Sequence, residues 1–264
     1  MKKLALVLGG GATKGYAHIG VLKVLEHEGI KPDLIVGTSM GAIIGGLYAS
    51  GKDGDYLEQI SKQLTKKKLM DFSLISTFFS TGIMGGKKLN KLLNKEIGNI
   101  THEELDIPFV AVATDILKGE QVVLNKGVVM NNILASSAIP GVFPVVYKNN
   151  QDLCDGGLLN NVPDDIAKKF AKDYVVLSID VVADYQKQVE NGKLKILSLT
   201  VNAITLMQTK ITKLTGNNSD LRINISQPDV SQMSFDKVSI TKSIDYGEIA
   251  MKKNMSKLKK LLQD

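Results

Sequence analysis

The sequence predicts an α/β fold of three layers, α/β/α, with a mainly parallel central sheet. Leu4–Leu8 is a continuous apolar run that ends at glycine, as expected of a strand covered by helices on both faces. The first fifty residues alternate strand-like and helix-like patterns, and apolar strand patterns return at Ile107–Asp115 and Tyr174–Asp180. Strands that alternate with helices form parallel sheets through right-handed crossovers.

The remaining elements follow from apolar periodicity and from helix-ending residues. Residues 16–28 carry apolar side chains at helical spacing, and Gly29 is a natural C-terminal cap. Residues Met70–Gly86 show no clear period, so we expect a lid or an acyl-binding wall there, with ordinary core packing as the alternative. Further helices are predicted at Asp55–Lys68, Lys87–Gly98, Val129–Ser137, Pro163–Ala171, Lys195–Lys213 and Ile244–Leu262, and further strands at Asp33–Val36, Gly119–Leu124, Asp152–Cys154 and Leu221–Ile225.

Length and composition indicate one domain in a reducing compartment. The 264 residues contain no linker-like segment and no internal repeat, so residues 1–264 are predicted as one domain, with a catalytic core at about 4–180 and an extension of helix and strand at about 190–264. The single cysteine, Cys154, excludes an internal disulfide. No apolar run approaches the ~18 residues of a membrane span. We therefore expect a cytoplasmic protein, with peripheral membrane contact as a variant of that expectation.

The net charge of +6 fits contact with anionic surfaces, whether lipid headgroups or nucleic acid, but it also fits a protein with many surface lysines. The basic residues 251–262 could lie on an anionic membrane. The alternative is a solvated helix packed by Met251, Met255, Leu258 and Leu262. Lys195–Lys213 is expected to belong to the core rather than to a dimer face, and the oligomeric state is not specified by the sequence.

A Gly-x-Ser-x-Gly motif at residues 37–41 carries the candidate nucleophile, Ser39. An apolar strand pattern precedes the motif and a helix-compatible segment follows it, so the serine is predicted at a sharp turn that exposes its hydroxyl. Gly37 and Gly41 leave room for that turn. The alternative is a glycine-rich turn with an idle serine, because short patterns recur by chance.

A nucleophilic serine needs a base, and histidine is a poor candidate in this chain. In α/β-hydrolases the histidine comes last in chain order. Only His102 follows Ser39, and it lies in a polar helix-start context, whereas His18 and His27 lie on the first predicted helix. We expect these two histidines at the surface or in packing, and we expect no histidine-based triad.

A carboxylate is the remaining candidate base. Asp155 follows a short apolar strand and precedes Gly156 and Gly157, so its side chain can project from a tight turn. The alternative is a turn aspartate that caps its own backbone. Asp115 and Asp180 also end predicted strands and are rival candidates.

Residues 9–15 form a glycine-rich loop between the first strand and the first helix. Its backbone N–H groups can converge on an oxyanion or on a phosphate. The dinucleotide pattern G-x-G-x-x-G fails because Ala12 or Lys14 stands where glycine is needed, and the P-loop pattern fails because Lys14 precedes Gly15 rather than following it. Nucleotide binding is therefore disfavoured.

In combination these motifs resemble those of the patatin-like phospholipase family, in particular its small bacterial members, over about residues 4–180. Residues 10–15 resemble the family's oxyanion motif, Gly-Gly-Gly-x-Arg/Lys-Gly, and residues 37–41 resemble its nucleophile elbow. Residues 155–157 resemble its Asp-Gly-Gly/Ala motif, and residues 137–144 resemble the loop before that motif. The C-terminal third has no counterpart among these motifs.

The resemblance implies a patatin-like domain in which Ser39 and Asp155 form a dyad that hydrolyses acyl esters of lipids, including phospholipids. The backbone N–H groups of Gly10, Gly11 and Ala12 would hold the oxyanion. No metal or other cofactor is expected, and the expected partner is a lipid or acyl-ester substrate rather than nucleic acid. The other residues that the motifs contribute are Gly9, Lys14, Gly15, Gly37, Gly41, Gly156 and Gly157.

Two departures from the family pattern concern the glycine loop. Ala12 stands where the third glycine is usual, and it can donate its N–H provided that its φ is negative, whereas a positive φ would distort the hole. Lys14 replaces arginine, which keeps the charge but loses bidentate geometry. Because an ordinary carboxylate is a weak base, we also expect desolvation to raise the pKa of Asp155.

Two other functions stay open at this point. One is a carboxylesterase or thioesterase that acts on soluble acyl substrates. The other is a non-catalytic binding or regulatory module on the same fold. The departures from the family motif at Ala12 and Lys14 are compatible with this alternative.

Overall fold

The computed structural model describes residues 1–63, 84–182, 196–215 and 217–263. The segment Met70–Gly86, predicted as a lid or an acyl-binding wall, lies outside the described residues except for the start of the helix at Met84.

Most of the predicted elements are present, with ends that differ by a few residues. The helix predicted at Ile244–Leu262 begins about two turns earlier than expected. A strand of three residues at 146–148 had no clear pattern and was not predicted. The described strands are β1 (Leu4–Leu8), β2 (Leu34–Thr38), β3 (Phe109–Asp115), β4 (Glu120–Leu124), β5 (Val146–Lys148), β6 (Gln151–Asp155), β7 (Val175–Asp180) and β8 (Leu221–Asn224). The described helices are α1 (Ala17–His27), α2 (Met40–Ala49), α3 (Gly54–Gln63), α4 (Met84–Glu96), α5 (Val129–Ser136), α6 (Asp164–Phe170), α7 (Ile196–Leu214) and α8 (Lys237–Gln263).

The strands form one mixed sheet whose main part is parallel. Its order is β8-β7-β1-β2-β3, and each neighbouring pair in that series is parallel. β4 and the hairpin of β5 and β6 are antiparallel additions at β3. Alternate residues of β1 enter two separate cores: Leu6 and Leu8 face one layer, and Ala5 and Val7 pack with Ile166 of α6 on the other side. The expected three-layer α/β/α fold is therefore confirmed.

The pairing of β3 decides which residues meet at the centre of the molecule. β2 ends with Thr38 opposite Val112, and β6 ends with Asp155 opposite Ala113, the next residue of β3. β4 pairs with β3 alongside both of these positions. A strand has only two edges for hydrogen bonding, so β2 and β6 must share the other edge and lie end to end. The residue after β2, Ser39, is thereby brought to the end of β6.

The C-terminal third of the chain is built into this fold. β8 extends the sheet beyond β7, and α8 packs along α1. Met251, Met255, Leu258 and Leu262 of α8 are buried in the core, so the apolar face of this basic helix is not available to a membrane. Among the described helices, none combines the length and the apolar character that a membrane crossing requires.

α1 and α8 cross at two glycines that face the partner backbone. A Cβ atom on Gly20 would lie 2.0 Å from the carbonyl oxygen of Ile244, and one on Gly247 would lie 1.9 Å from that of Ala17. Real Cβ atoms do not approach a backbone oxygen so closely, so the helices can adopt this separation only if both positions lack a side chain.

We predict that Gly247→Ala lowers the free energy of unfolding by about 1–3 kcal/mol, because the added methyl group forces α1 and α8 apart. In an exposed helix the same substitution would raise stability by up to ~1 kcal/mol. The measurement is urea unfolding followed by circular dichroism. Ser256→Ala, at an exposed position of the same helix, is the control and should change stability by less than ~0.5 kcal/mol. A Gly247→Ala protein as stable as the native one would contradict the close crossing.

Candidate active site

Ser39 occupies a strained turn between β2 and α2. Its backbone angles are φ 55° and ψ −121°, a combination that residues other than glycine adopt only under constraint. β2 ends at the residue before it and α2 begins at the residue after it. The sharp turn expected from the Gly-x-Ser-x-Gly motif is thus present, and it places the serine at the N-terminus of a helix, where negative charge is favoured.

Two contacts hold this turn in place. The Ser39 N–H donates to the hydroxyl of Ser136 at 3.0 Å, and that hydroxyl donates to the carbonyl oxygen of Val112 at 2.6 Å. A Cβ atom at Gly41 would lie 2.0 Å from the carbonyl oxygen of Leu8, so α2 begins directly against the backbone of β1. Ser136 was not identified from the sequence, because a serine at the end of a helix carries no motif that marks it.

Asp155 is buried beside Ser39, with only 1% of its surface exposed. Its Oδ1 accepts the N–H of Gly157 at 2.8 Å, as in the alternative of a turn-capping aspartate. Its Oδ2 is buried and has no hydrogen-bond partner among the described residues. One oxygen of the carboxyl therefore orients the group, and the other remains available.

Burial raises the pKa of Asp155 from 3.8 to about 6, against the opposing influence of the Ser39 hydroxyl and the Gly157 N–H, which favour the charged form. The direction of this shift agrees with the expectation from the sequence. The hydroxyl of Ser39 is thus close to the carboxyl, although it does not complete a hydrogen bond to Oδ2. Such contacts are often loose in ligand-free enzymes and tighten when substrate binds.

The glycine loop offers fewer free donors than expected. The N–H of Gly10 donates to the carbonyl oxygen of Asn161 at 3.1 Å. Gly10 was expected to bind an oxyanion, and the structure corrects this expectation because its N–H is already used. Gly11 caps a short 3-10 helix that begins at Ala12, and the first N–H groups of a helix lack partners within it. Gly11 and Ala12 are thus the remaining donors of the predicted set.

Ala12 has φ 47°, in the left-handed region, and not the negative φ for which its N–H was expected to be well placed. A residue other than glycine pays ~1–2 kcal/mol for this conformation. The condition given above for an undistorted hole is therefore not met, and the loop stores the strain of this conformation. The N–H of Ala12 remains a candidate donor in that distorted geometry.

Residues of the C-terminal third brace the same loop. The carbonyl oxygen of Gln232 accepts both the N–H and the hydroxyl of Thr13, at 3.3 and 2.8 Å. The carbonyl oxygen of Lys14 accepts the side chains of Gln227 at 2.9 Å and Ser243 at 3.0 Å. These three bracing residues lie more than 200 positions from the loop in sequence, and nothing in their local pattern marks them.

The three histidines do not supply a base to Ser39. His18 is buried, its Nε2–H donates to the carbonyl oxygen of Gly9 at 2.7 Å, and burial lowers its pKa to about 4. His102 contacts the carbonyl oxygen of Phe109 and the side chain of Asn132. The side chain of His27 is exposed. The expectation that no histidine forms a triad with Ser39 agrees with these positions.

The rival carboxylates cap turns at the ends of their own strands. Asp115 accepts the N–H groups of Leu117 and Lys118, both at 3.2 Å. Asp180 accepts the N–H of Val182 at 3.0 Å. Asp155, in contrast, lines the smaller of the two cavities described below together with Ser39.

Two cavities meet at Ser39. The larger is apolar, has a volume of about 100 Å³ and reaches along α2 towards α4. The smaller has a volume of about 20 Å³ and lies on the side of Asp155, where Thr205, Gln208 and Gln232 contribute polar side chains. The apolar cavity is lined by residues that include Tyr16, Met40, Ile44, Leu47, Ile60, Leu89, Leu92, Val142, Phe143 and Phe235.

The orientation of α7 differs from the expectation that its apolar residues belong to the core. Leu199, Leu206 and Met207 are exposed, whereas threonines and a glutamine of the helix face inward. The expectation was wrong for these residues because leucine content was taken as a sign of burial. The buried polar residues include Thr205 and Gln208, which line the smaller cavity together with Gly11 and Ala12 of the glycine loop.

This combination of a strained serine elbow, a buried carboxyl and a glycine loop defines an α/β protein built around a serine–aspartate pair. A family model described as patatin-like phospholipase matches residues 6–168. The chain belongs to the patatin-like phospholipase family.

Its relatives are longer proteins. The chain is 37% identical over 161 residues to an NTE family protein of Mycobacterium tuberculosis, and the aligned residues make up 61% of this chain and 44% of that relative. It is 35% identical over 182 residues to patatin-like phospholipase domain-containing protein 6 of Homo sapiens. In that comparison the aligned residues make up 67% of this chain and 13% of the human protein. The crystal structure of VipD from Legionella pneumophila has a similar fold, with a TM-score of 0.51 at 15% identity over 94% of this chain and 67% of VipD.

We predict that Asp155→Asn raises stability above pH 6. The folded protein holds a proton on Asp155 up to about pH 6, whereas an ordinary aspartate releases it near 3.8. The native state therefore loses stability as pH rises through this window, by up to ~3 kcal/mol for a shift of about two units. Asparagine, which has no charge to bury, removes the loss.

The measurement is urea unfolding of both proteins at pH 4 and pH 8. The variant should be the more stable at pH 8, and its advantage should shrink towards pH 4. Asp115→Asn, which alters a carboxylate that caps a turn, should not gain stability at pH 8. Parallel stability curves for the native protein and Asp155→Asn would show that the carboxyl is not desolvated.

We predict that Ala12→Gly raises stability by up to ~1 kcal/mol. It relieves the left-handed strain of ~1–2 kcal/mol but adds ~0.4–1 kcal/mol of chain entropy to the unfolded state. Ala12→Val should lower stability, because a β-branched residue fits this conformation poorly. Equilibrium unfolding in urea ranks the three proteins. An order in which the glycine variant is the least stable would contradict the positive φ of Ala12.

Proposed function

We propose that the protein is a serine hydrolase that cleaves acyl esters of lipids, including phospholipids, with Ser39 as the nucleophile and Asp155 as the general base. The observation that carries this proposal is the buried carboxyl of Asp155, with a pKa of about 6, next to a serine held at a strained elbow. At neutral pH most of this carboxyl is ionised, and it is more basic than an ordinary aspartate.

The reaction would proceed in two halves. Asp155 takes the proton of the Ser39 hydroxyl as the oxygen attacks the ester carbonyl, and the protonated carboxyl then gives that proton to the leaving alcohol. A water molecule enters in place of the alcohol. Asp155 takes one of its protons as the water attacks the acyl-serine, and Ser39 recovers a proton when the carboxylic acid leaves.

Charge that develops on the carbonyl oxygen would be held by the N–H groups of Gly11 and Ala12 and by the N-terminus of α2. Donors fixed by the fold do not have to reorient as charge develops, and such preorganisation is often the largest contribution to catalysis. The hydrogen bonds that Thr13 donates to the carbonyl oxygen of Gln232 support this role, since they hold the start of the 3-10 helix that presents these donors.

The substrate class follows from the apolar cavity and the family. The cavity of about 100 Å³ begins at Ser39 and is lined almost entirely by aliphatic and aromatic side chains, which suits an acyl chain. Family membership supports a lipid ester in particular. We also propose that residues 1–264 form one domain, because side chains of the last forty residues hydrogen-bond to the glycine loop.

The test is labelling with a fluorophosphonate, followed by intact-mass measurement and peptide mapping. We expect one adduct, on Ser39, and none on Ser39→Ala. Asp155→Asn should be labelled at least ~100-fold more slowly, the size of a general-base contribution. The rate for the native protein should rise with pH with a midpoint near 6, because only the ionised carboxyl accepts a proton.

Two matched variants control for general effects. Ser137 also lines the apolar cavity, but its hydroxyl donates to the carbonyl oxygen of Ile133, so Ser137→Ala should keep the label. Asp115→Asn should also keep it. Absence of an adduct on the folded native protein would favour a binding module. Faster turnover of soluble esters than of micellar lipid would favour an esterase or a thioesterase.

A further inference from the structure

The polar face of α7 points into the protein, next to the proposed dyad. Thr205, Gln208, Thr209 and Thr212 are buried on this face. The helix lies outside residues 6–168, the part of the chain that the family model matches. Buried polar side chains need hydrogen-bond partners. The partners of each side chain therefore indicate whether it stabilises the fold or is available to a ligand.

Two of these side chains are satisfied within the protein. The hydroxyl of Thr205 contacts the carbonyl oxygen of Val201 at 2.9 Å and the side-chain oxygen of Gln232 at 2.6 Å. The hydroxyl of Thr209 contacts the carbonyl oxygens of Val182 and Thr205. These threonines therefore anchor α7.

Gln208 differs from them. Only 8% of its surface is exposed, yet its carboxamide makes no hydrogen bond within the part of the chain that the structure describes. The carboxamide is not among the fully buried polar atoms that lack a partner, and Gln208 lines the smaller cavity. Its polar atoms therefore face that cavity, where a ligand can hydrogen-bond to them.

The carboxamide lies beside the carboxyl of Asp155. The position that a Cβ atom of Gly157 would occupy is 2.3 Å from Nε2 of Gln208 and 3.0 Å from Oδ1 of Asp155. Both residues line the smaller cavity with Ser39. Two groups with unused hydrogen-bonding capacity, the carboxamide and Oδ2 of Asp155, thus border one space of about 20 Å³, which has room for about one water-sized group.

The chemistry of this cavity selects a neutral, hydroxyl-bearing group. Among the described residues that line it, those with neutral polar side chains are Ser39, Thr205, Gln208 and Gln232, and the one charged residue is Asp155, which would repel an anion. The apolar cavity starts from the same serine and takes the acyl side of an ester. The smaller cavity is also lined by Gly11 and Ala12, the proposed oxyanion donors. The carbonyl oxygen would lie at that side, and the alcohol side of the ester would lie next to the carboxamide.

We infer that Gln208 is a specificity-determining residue that hydrogen-bonds the leaving alcohol of the ester and favours alcohols with a hydroxyl group next to the ester oxygen. The inference rests on the proposed function. When Asp155 passes its proton to the ester oxygen, the neighbouring hydroxyl lies against the Gln208 carboxamide. The water molecule that replaces the alcohol is held in the same place.

The experiment compares two esters of one acid, glycerol 1-monobutyrate and propyl butyrate, which differ only in the two hydroxyls of the leaving alcohol. Butyrate release gives kcat/KM for each ester. In Gln208→Met, which keeps length and removes the carboxamide, the ratio of kcat/KM for the glycerol ester to that for the propyl ester should fall about tenfold, a factor typical of one neutral hydrogen bond.

Thr212→Val is the matched control. Thr212 is buried on the same helix face, its hydroxyl has no hydrogen-bond partner among the described residues, and it does not line the cavity. Its substitution should leave the ratio unchanged within about twofold. Fluorophosphonate labelling of each variant verifies that the serine site is folded, and Gln208→Leu is measured in the same way if Gln208→Met is not labelled.

A native ratio retained in a labelled Gln208 variant overturns the inference while the proposed function stands. A native protein that takes no label and hydrolyses neither ester overturns the proposed function instead. A ratio that falls equally in Thr212→Val would assign the effect to the packing of α7 and would also overturn the role of Gln208.

Discussion

The structure depends on the pairing of two strands with one edge of β3. β2 and β6 lie end to end along this edge, and the two residues at their junction are opposite neighbouring positions of β3. Ser39 and Asp155 are 116 positions apart in sequence. The hydrogen-bond register of the sheet nevertheless places them next to each other. The pair is therefore held by backbone geometry, and any change that shifts the register of β6 separates it.

Several energetically unfavourable features, two strained backbone conformations and one buried carboxyl group, lie around this junction. Ser39 and Ala12 have positive φ, and the carboxyl of Asp155 is removed from water. Each feature lowers stability, and each lies at a group of the proposed mechanism: the hydroxyl of Ser39, the N–H donors of the glycine loop and the carboxyl of Asp155. The large two-sided core and the close crossing of α1 and α8 supply the stability that offsets these costs.

The C-terminal third completes the site that the motifs begin. Gln227, Gln232 and Ser243 hold the glycine loop through hydrogen bonds, and α7 forms the polar wall of the smaller cavity. The motif-bearing part of the chain therefore contains Ser39 and Asp155, the proposed reacting groups, and the remainder supplies much of their surroundings.

Sequence patterns by themselves determined the three-layer fold, most of the elements, the strained turn at Ser39 and the candidate Asp155, because apolar periodicity and glycine motifs report local backbone geometry. They did not exclude Asp115 and Asp180, and they left Gly10 as a donor. Only tertiary structure decided these points, since it depends on which strand ends meet and on the carbonyl of Asn161, which occupies the Gly10 N–H. The same holds for α7, where burial is set by the neighbours of each residue and not by its own hydrophobicity.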